Sequence, residues 1–252
     1  MRLLLLLLAL ITTRTIAGGE TYILITYHFS APGQQQTTEQ FLENAWMPGM
    51  HRAGIRNIGV FRPIKSDTAY FGKRLYVFFP VKSNRIHSIL DEVLQDPEVK
   101  RLGSDYLDAA AGKPPYNRME VSLMKAFSGM QTMEPTVLQA PRSERIYELR
   151  SYEGPTEMRH KAKVRMFNAG DEIGLFRKLN FHAVFYADVF AGSRMPNLMY
   201  MTTFENMTER DQHWKEFFAH PHWKHLLTIP EYQNSVSKAD IFLLQPTDYS
   251  DF

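Results

Sequence analysis

The alternation of apolar and polar residues along the chain predicts eight β-strands and four helical regions. Strands are indicated where β-branched and aromatic residues cluster or alternate with polar ones, and helices where apolar residues recur every three or four positions. The predicted helices begin near Thr38, Asn84, Met158 and Thr208, and the third runs to Leu179, although Gly170 and Gly174 weaken it. The predicted strands span 22–27, 55–61, 73–79, 118–127, 147–152, 181–190, 197–204 and 238–245.

The second half of the chain repeats the pattern of the first half at a nearly constant offset. The strands at 22–27 and 147–152 both begin and end with tyrosine and lie 125 positions apart. Further along, the best match aligns Tyr76 with Tyr200 at an offset of 124. Offsets that stay this constant over several separate segments indicate that one structural unit occurs twice.

The order of elements in each repeat is β-α-β-β-α-β, which is typical of a ferredoxin-like unit with both helices on one face of an antiparallel sheet. The other face of such a sheet is bare, and two copies can bury their bare faces against each other. We therefore predict an α+β fold in which two tandem units form a dimeric α/β-barrel-like body. The alternative is two units that do not pack together and that each pair with another chain. The predicted domains are 20–127 and 144–246, joined by a linker at 128–143.

The first 17 residues have the pattern of a secretory signal peptide, with a basic start, a short leucine-rich core and small residues before Ala17. Its removal would take away Arg2 and Arg14 and leave the mature chain close to neutral. The chain has no cysteine, so export would come without disulfides. We expect an exported, soluble protein, periplasmic or extracellular, with no stable membrane anchor after signal removal and no nucleic-acid partner.

Several spaced motifs in the second half resemble the NIPSNAP family. They are the segment 145–152, whose centre reads Glu-Leu-Arg, the strand start at 195–200, the turn at 204–210, and the segment 220–224, preceded by Trp214 and Phe217. The first half matches only in outline and lacks the Glu-Leu-Arg centre. The resemblance implies a dimeric α/β-barrel fold, and it implies no general reaction and no defined catalytic residues.

Polar residues on alternate strand positions of the second half are the candidate site. Alternation places one set of side chains on a common face, and we predict that this face is the barrel interior. His182 is the candidate catalytic residue, because a histidine can titrate near neutral pH. The candidate ligand-binding residues are Glu148, Arg150, Tyr152, Tyr186, Asp188 and Tyr200. In a purely structural alternative, Glu148 and Arg150 pair with each other and His182 is satisfied by the sheet.

Neither a metal nor a cofactor is expected. Four histidines cluster near the end of the predicted last helix, but no cysteine and no carboxylate at a recognisable metal-site spacing accompanies them. Packing at a helix end explains them better. These histidines are His213, His220, His222 and His225.

These observations favour the binding of a small organic molecule in the barrel interior. One alternative is a cofactor-independent enzyme, such as a monooxygenase-like protein, an isomerase or a lyase, that uses His182. Another is a structural or interaction protein whose barrel is filled by its own side chains. The tandem arrangement allows a monomer with an internal pseudo-dimer, and a homodimer is the other expectation.

Overall fold

The computed structural model describes residues 19–134 and 138–252. The strands in the described ranges are β1 (Thr21–His28), β2 (Gly59–Pro63), β3 (Arg74–Val81), β4 (Arg118–Ala126), β5 (Ile146–Glu153), β6 (Ala183–Ala191), β7 (Asn197–Phe204) and β8 (Lys238–Pro246). They close into one antiparallel barrel in the order β1-β3-β2-β8-β5-β7-β6-β4. Closure leaves no free strand edge, which removes a common route to aggregation.

Short helices cover the outside of the barrel. The first half contributes α1 (Gln34–Phe41), α2 (Met47–Arg52), α3 (Ile89–Gln95), α4 (Pro97–Leu102) and α5 (Ser104–Leu107). The second half contributes α6 (Glu157–Asn168), α7 (Glu172–Lys178), α8 (Met207–Ala219) and α9 (Pro221–Thr228). A π-helical turn, Leu42–Trp46, joins α1 to α2 without a break. One predicted helix starting near Thr38 is therefore observed as a continuous helical segment.

The barrel consists of two four-stranded sheets, one from each half of the chain. We call β1–β4 with α1–α5 the first unit and β5–β8 with α6–α9 the second unit. The sheet of the first unit has the order β4-β1-β3-β2, and that of the second has β8-β5-β7-β6. The sheets join where β2 pairs with β8 and where β4 pairs with β6. This arrangement confirms the predicted α+β fold of two ferredoxin-like units in a barrel-like body.

Large apolar side chains fill the barrel interior. An eight-stranded barrel is just wide enough for side chains to fill it. The rings of Phe78 and Phe185, one from each unit, stack with their centroids 4.3 Å apart at the centre of this cluster. The C-terminal Phe252 packs against Phe61 and Tyr147 and extends the same cluster. The interior is the packed core between the two units.

Two of the predicted helices differ in detail from the observed ones. The helix predicted from Met158 to Leu179 is divided into α6 and α7 by Asp171, whose φ of 60° no helix interior accommodates. The last long helix starts one residue before Thr208, and Asn206 is its N-cap, with its side-chain oxygen accepting from the Glu209 N–H at 3.0 Å. Asparagine caps at least as well as threonine, because its carbonyl oxygen reaches the same free N–H groups.

The strand registers give the repeat offsets directly. Tyr22 and Tyr147 occupy equivalent positions in β1 and β5. Tyr22 pairs with Pro80 on β3, and Tyr147 pairs with Thr203 on β7. Equivalent positions of β3 and β7 are therefore 123 residues apart. The predicted alignment of Tyr76 with Tyr200 was therefore wrong by one residue. A slip of one residue moves a side chain to the opposite face of a strand. This error matters for the candidate site.

The N-terminal segment with the predicted signal peptide, 1–17, lies outside the described residues. In the part of the chain that the structure describes, none of the helices is both long enough and apolar enough to cross a lipid bilayer.

Candidate functional site

The structure brings four of the candidate ligand-binding residues together under the helices of the second unit. Glu148, Arg150 and Tyr152 lie on the outer face of β5, and Tyr200 lies beside them on β7. The Arg150 guanidinium donates to the Glu148 carboxylate at 2.5 Å and to the Tyr152 hydroxyl at 2.9 Å. The Tyr152 and Tyr200 hydroxyls share a hydrogen bond of 2.9 Å. The group forms one connected polar network, which we call the β5 network.

Residues from α8 complete the β5 network. Arg210 donates to Glu148 Oε2 at 2.6 Å, and the Trp214 indole N–H donates to the same oxygen at 3.0 Å. The Trp214 ring also lies 3.7 Å from the Arg150 guanidinium carbon. Burial alone lowers the pKa of Arg150, but Tyr200, Tyr152 and Glu148 together raise it above its ordinary range. Arg150 is therefore charged, and Glu148 is its counter-ion.

The prediction that these side chains face the barrel interior was wrong. The residues between them on β5, Tyr147 and Leu149, point into the barrel, whereas Glu148 and Arg150 point toward the helices. In the interior Tyr147 and Leu149 join an apolar and aromatic cluster, whereas α8 supplies both a guanidinium and an indole N–H to the Glu148 carboxylate. A buried charge is tolerated only where such partners exist.

Tyr186 and Asp188 also lie on the helix side of the sheet. Tyr186 is buried beside Tyr200 with ring centroids 5.6 Å apart, and burial raises the pKa of its hydroxyl well above the ordinary value. The Asp188 carboxylate lies 2.7 Å from Nε2 of His160 on α6, and its side chain is 46% exposed. Neither residue enters the barrel interior that was predicted for them.

His182 is not in a pocket. It is exposed in the turn before β6, with a positive φ of 41°, and its backbone carbonyl accepts from the Thr203 hydroxyl at 2.8 Å. The predicted inward orientation was therefore wrong. Two turn residues with positive φ, Asn180 and His182, displace this position from the alternation of β6.

The four clustered histidines have separate local contacts. His220 caps α9 by accepting from the His222 N–H at 3.1 Å, and His222 Nε2 lies 2.8 Å from the Gly170 carbonyl. His213 lies one helical turn from Glu209 on α8. Within the described ranges, three or more side chains suited to a metal nowhere converge.

One end of the barrel carries charged residues around a void of only about 40 Å³. His28 at this end lies 3.7 Å from the Glu120 carboxylate. Burial and the neighbouring Arg74 and Arg118 lower the pKa of His28, and Glu120 opposes them more weakly. The void is too small for an organic ligand.

The depressed pKa of His28 gives a stability change with a defined sign. The unfolded chain takes up a proton near the ordinary value of 6.5, and the folded chain does so only at lower pH. The contribution of neutral His28 is therefore complete above pH 6.5 and is lost as the pH falls toward the folded value. Thermal melts at about pH 8 and about pH 5 should show a larger loss of Tm for the wild type than for His28→Asn. Parallel losses in the two proteins would contradict this assignment.

A larger apolar pocket lies outside the barrel, between the sheet and the helices of the first unit. Its volume is about 330 Å³, within the range of small-molecule sites. We call it the first-unit pocket. It is lined by Ile25, Tyr27, Phe41, Trp46, Leu90, Leu94, Tyr106, Leu107, Ala109, Ala110, Ala111, Pro114, Pro115, Tyr116 and Met119.

Three tyrosines supply the polar groups of the first-unit pocket. The Tyr106 hydroxyl donates to the Tyr27 hydroxyl at 3.5 Å, and the Tyr116 ring centroid lies 5.6 Å from that of Tyr27. Phe41 stacks on Tyr106 with ring centroids 4.0 Å apart. Burial raises the pKa of Tyr27 to about 12 and also raises that of Tyr106. These hydroxyls are therefore neutral hydrogen-bonding groups at physiological pH.

The loop between α5 and β4 is held over this pocket by two side chains of α1. Gln34 donates to the Pro114 carbonyl at 3.0 Å, and Thr38 donates to the Pro115 carbonyl at 2.7 Å. This loop and its neighbours Tyr106 and Tyr116 are not among the site residues predicted from the sequence. Two tyrosines flanking an alanine-, glycine- and proline-rich stretch were the available signal, because aromatic residues in an exposed loop need a packing partner.

The fold defines the class of this protein as a tandem dimeric α/β barrel. A candidate monooxygenase from Lactobacillus acidophilus NCFM has the same fold over 90% of this chain and 94% of its own, at 10% identity and a TM-score of 0.52. A second candidate monooxygenase, from Fusobacterium nucleatum, matches over 91% of this chain and 93% of its own chain, at 6% identity and a TM-score of 0.54. An anthrone oxidase-like protein matches over 91% of this chain and 92% of its own chain, at 8% identity and a TM-score of 0.51. These likenesses concern the fold.

Within this class, residues 147–251 match the NIPSNAP family model. The second unit is therefore a NIPSNAP domain, which confirms the resemblance of its sequence motifs. No curated protein sequence matches the chain significantly.

Proposed function

We propose that this protein binds a small, neutral, ring-bearing organic molecule in the first-unit pocket. The observation that carries the proposal is a cavity of about 330 Å³ with an aromatic and aliphatic lining next to a cluster of tyrosine hydroxyls. The barrel interior, where a ligand was predicted, is filled by side chains. The proposed ligand site therefore lies on the other face of the sheet, under the helices.

The lining indicates the chemistry of the ligand. Phe41, Trp46 and the aliphatic side chains of α3 offer flat and apolar contacts, which favour a ring system. Among the described residues that line the pocket, none carries a carboxylate, an amine, a guanidinium or an imidazole. A charged ligand would lose its hydration without a counter-ion, so a neutral molecule fits better. A hydroxyl or carbonyl oxygen on the ring could pair with Tyr27 or Tyr106.

Catalysis by a cofactor-independent enzyme is the second candidate, because proteins of the same fold are named as candidate monooxygenases. Two features support binding over acid–base catalysis. The tyrosines of the first-unit pocket are poor bases, since burial raises the pKa of Tyr27 to about 12. His182 lies in the second unit and is exposed. The further alternative, a structural or interaction protein, requires the first-unit pocket to stay empty in solution.

Naphthol binding tests the proposed function. Naphthol is neutral and bicyclic and carries one hydroxyl. Isothermal titration of the full chain should show saturable binding, which Leu107→Trp should weaken at least about tenfold because the larger side chain fills the pocket. Leu102→Trp makes the same exchange at an exposed position of α4 that does not line the pocket, and it is the matched control. We expect it to leave the affinity for naphthol unchanged.

Two results would overturn the proposal: no saturable binding by the wild type, or an equal loss in Leu107→Trp and Leu102→Trp. Product analysis after incubation of naphthol in air separates binding from oxygenation. Unchanged naphthol supports a binding protein, and an oxygenated product supports the enzyme alternative.

Export is proposed from the N-terminal sequence pattern alone. N-terminal sequencing of the protein isolated from its own host tests it. A start soon after Ala17 supports signal removal, and a start at Met1 contradicts it.

A further inference from the structure

The duplication creates a second opening at the equivalent place in the second unit. In the first unit, Thr38 and Phe41 of α1 and Leu42 of the π-helical turn that follows it are buried, and Phe41 lines the pocket. The buried residues of α6 include Lys163, Met166 and Phe167, each 125 positions later. A cavity of about 460 Å³ lies against this helix. We call it the second-unit groove; its walls include Lys163, Met166, Trp223, Leu226, Leu227 and Tyr232.

The two openings differ because the β5 network occupies the inner part of the second one. Ile25 lines the first-unit pocket, and its equivalent 125 positions later is Arg150. The Arg150 guanidinium, stacked on Trp214, fills the corresponding space. What remains open in the second unit is the outer part, with Lys163 where the first unit has Thr38. The chemistry of the opening therefore changes from apolar to cationic.

Lys163 is a buried cation on the wall of this groove. Its side chain is 6% exposed, and its amine donates to Glu172 Oε2 at 2.9 Å and to the Met166 sulfur at 3.3 Å. An ammonium group has three donors, and a thioether is a weak acceptor. The rings of Phe167, Trp223 and Tyr152 also face the amine, with centroids 4.8, 5.5 and 6.0 Å away. A strong acceptor in the groove would complete the coordination of this amine.

The charges around the groove favour an anion. Lys163 is balanced by Glu172, and Arg165 is paired with Glu231 at 2.5 Å. Among the described residues Arg159 has no ion-pair partner and donates to the Gln233 carbonyl at 3.2 Å, so the three cations named here face two carboxylates. Trp223, Leu227 and Tyr232 provide flat and apolar surface beside the amine. A ligand that contacts both the amine and the apolar surface has a carboxylate and a ring.

We infer that the second-unit groove binds a small aromatic carboxylate, with the carboxylate on Lys163 and the ring against Trp223 and Leu227. This site is separate from the first-unit pocket and takes a different class of ligand. It does not depend on the function proposed for that pocket.

Naphthoate titration in the Leu107→Trp background tests the second-unit groove, because the first-unit pocket is already filled in that variant. We expect saturable binding of naphthoate and weaker binding of uncharged naphthol. Adding Leu227→Trp, which fills the groove without touching the ion pair, should weaken naphthoate binding at least about tenfold. Replacing the pair together, Lys163→Met with Glu172→Gln, should have a similar effect and avoids leaving a buried charge unpaired.

The two proposals fail in different ways. If Leu107→Trp does not bind naphthoate, or binds it equally with and without Leu227→Trp, the groove is not a carboxylate site, whatever naphthol does in the wild type. Circular dichroism melts identify a paired variant that does not fold. In that case the Leu227→Trp comparison alone decides.

Discussion

Glu148→Ala is expected to lower the free energy of unfolding by about 3–5 kcal/mol. The Glu148 side chain is fully buried and accepts hydrogen bonds from Arg150, Arg210 and Trp214. Its removal leaves the buried Arg150 guanidinium without its counter-ion and the Trp214 indole N–H without an acceptor. Urea unfolding followed by far-UV circular dichroism measures the effect as a lower midpoint at constant m value.

The first unit provides the matched control for this variant. Its residues at the positions equivalent to Glu148 and Arg150 are Ile23 and Ile25, which pack as part of an apolar core. Replacing a buried ion pair with apolar side chains is often close to neutral, whereas removing one partner is not. The double variant Glu148→Ile, Arg150→Ile should therefore be more stable than Glu148→Ala. If the double variant is equally unstable or less stable, the unpaired Arg150 charge is not the main cause of the loss.

Phe185→Ala is expected to cost about 3–5 kcal/mol of unfolding free energy, because it opens a cavity at the centre of the barrel. Phe185 is fully buried, stacks on Phe78 at 4.3 Å and contacts Tyr22 at 5.5 Å between ring centroids. The contacts join strands of both units, so one substitution weakens the interface between them. Urea unfolding midpoints provide the measurement.

Phe190→Ala is the control for the barrel substitution. It makes the same chemical change on the same strand, but the Phe190 side chain is 48% exposed. Surface substitutions of this kind usually change stability by less than about 0.5 kcal/mol. Similar losses in the two variants would show that the barrel interior is not the packed core described above.

The repeat was predictable because it is a property of the sequence alone. The tyrosine-bounded strands at 22–27 and 147–152 coincide with β1 and β5 at the predicted offset of 125. Two ferredoxin-like units with bare sheet faces have few ways to bury them, so barrel closure followed from the element order. The NIPSNAP motifs of the second half were recognisable for the same reason.

The candidate residues were predictable as a group but not in their placement. Alternation correctly put Glu148, Arg150 and Tyr152 on one face of β5. It did not show which face meets the other unit, because both faces of this sheet are buried. The hydrogen-bond donors that settle the matter, Arg210 and Trp214, come from a helix more than 50 positions away in sequence.

The first-unit pocket and the second-unit groove could not be predicted from the sequence either. Tyr27 and Tyr116 are distant in sequence, and their proximity depends on the pairing of β1 with β4 and on the loop that Thr38 holds. Lys163 reads in the sequence as one of several basic residues on a helix. Its burial beside Glu172 depends on the break at Asp171, which turns α7 back against α6.

The sequence by itself therefore determined the order of the elements, their duplication, the closed architecture and the family of the second unit. These follow from local periodicity and from motifs that lie within single elements. Only the tertiary structure decided that the barrel is filled, that the charged face of β5 lies under α8, and that open space remains under the helices. These outcomes depend on side-chain volumes and on charge partners from distant segments, which the pattern along one strand does not contain.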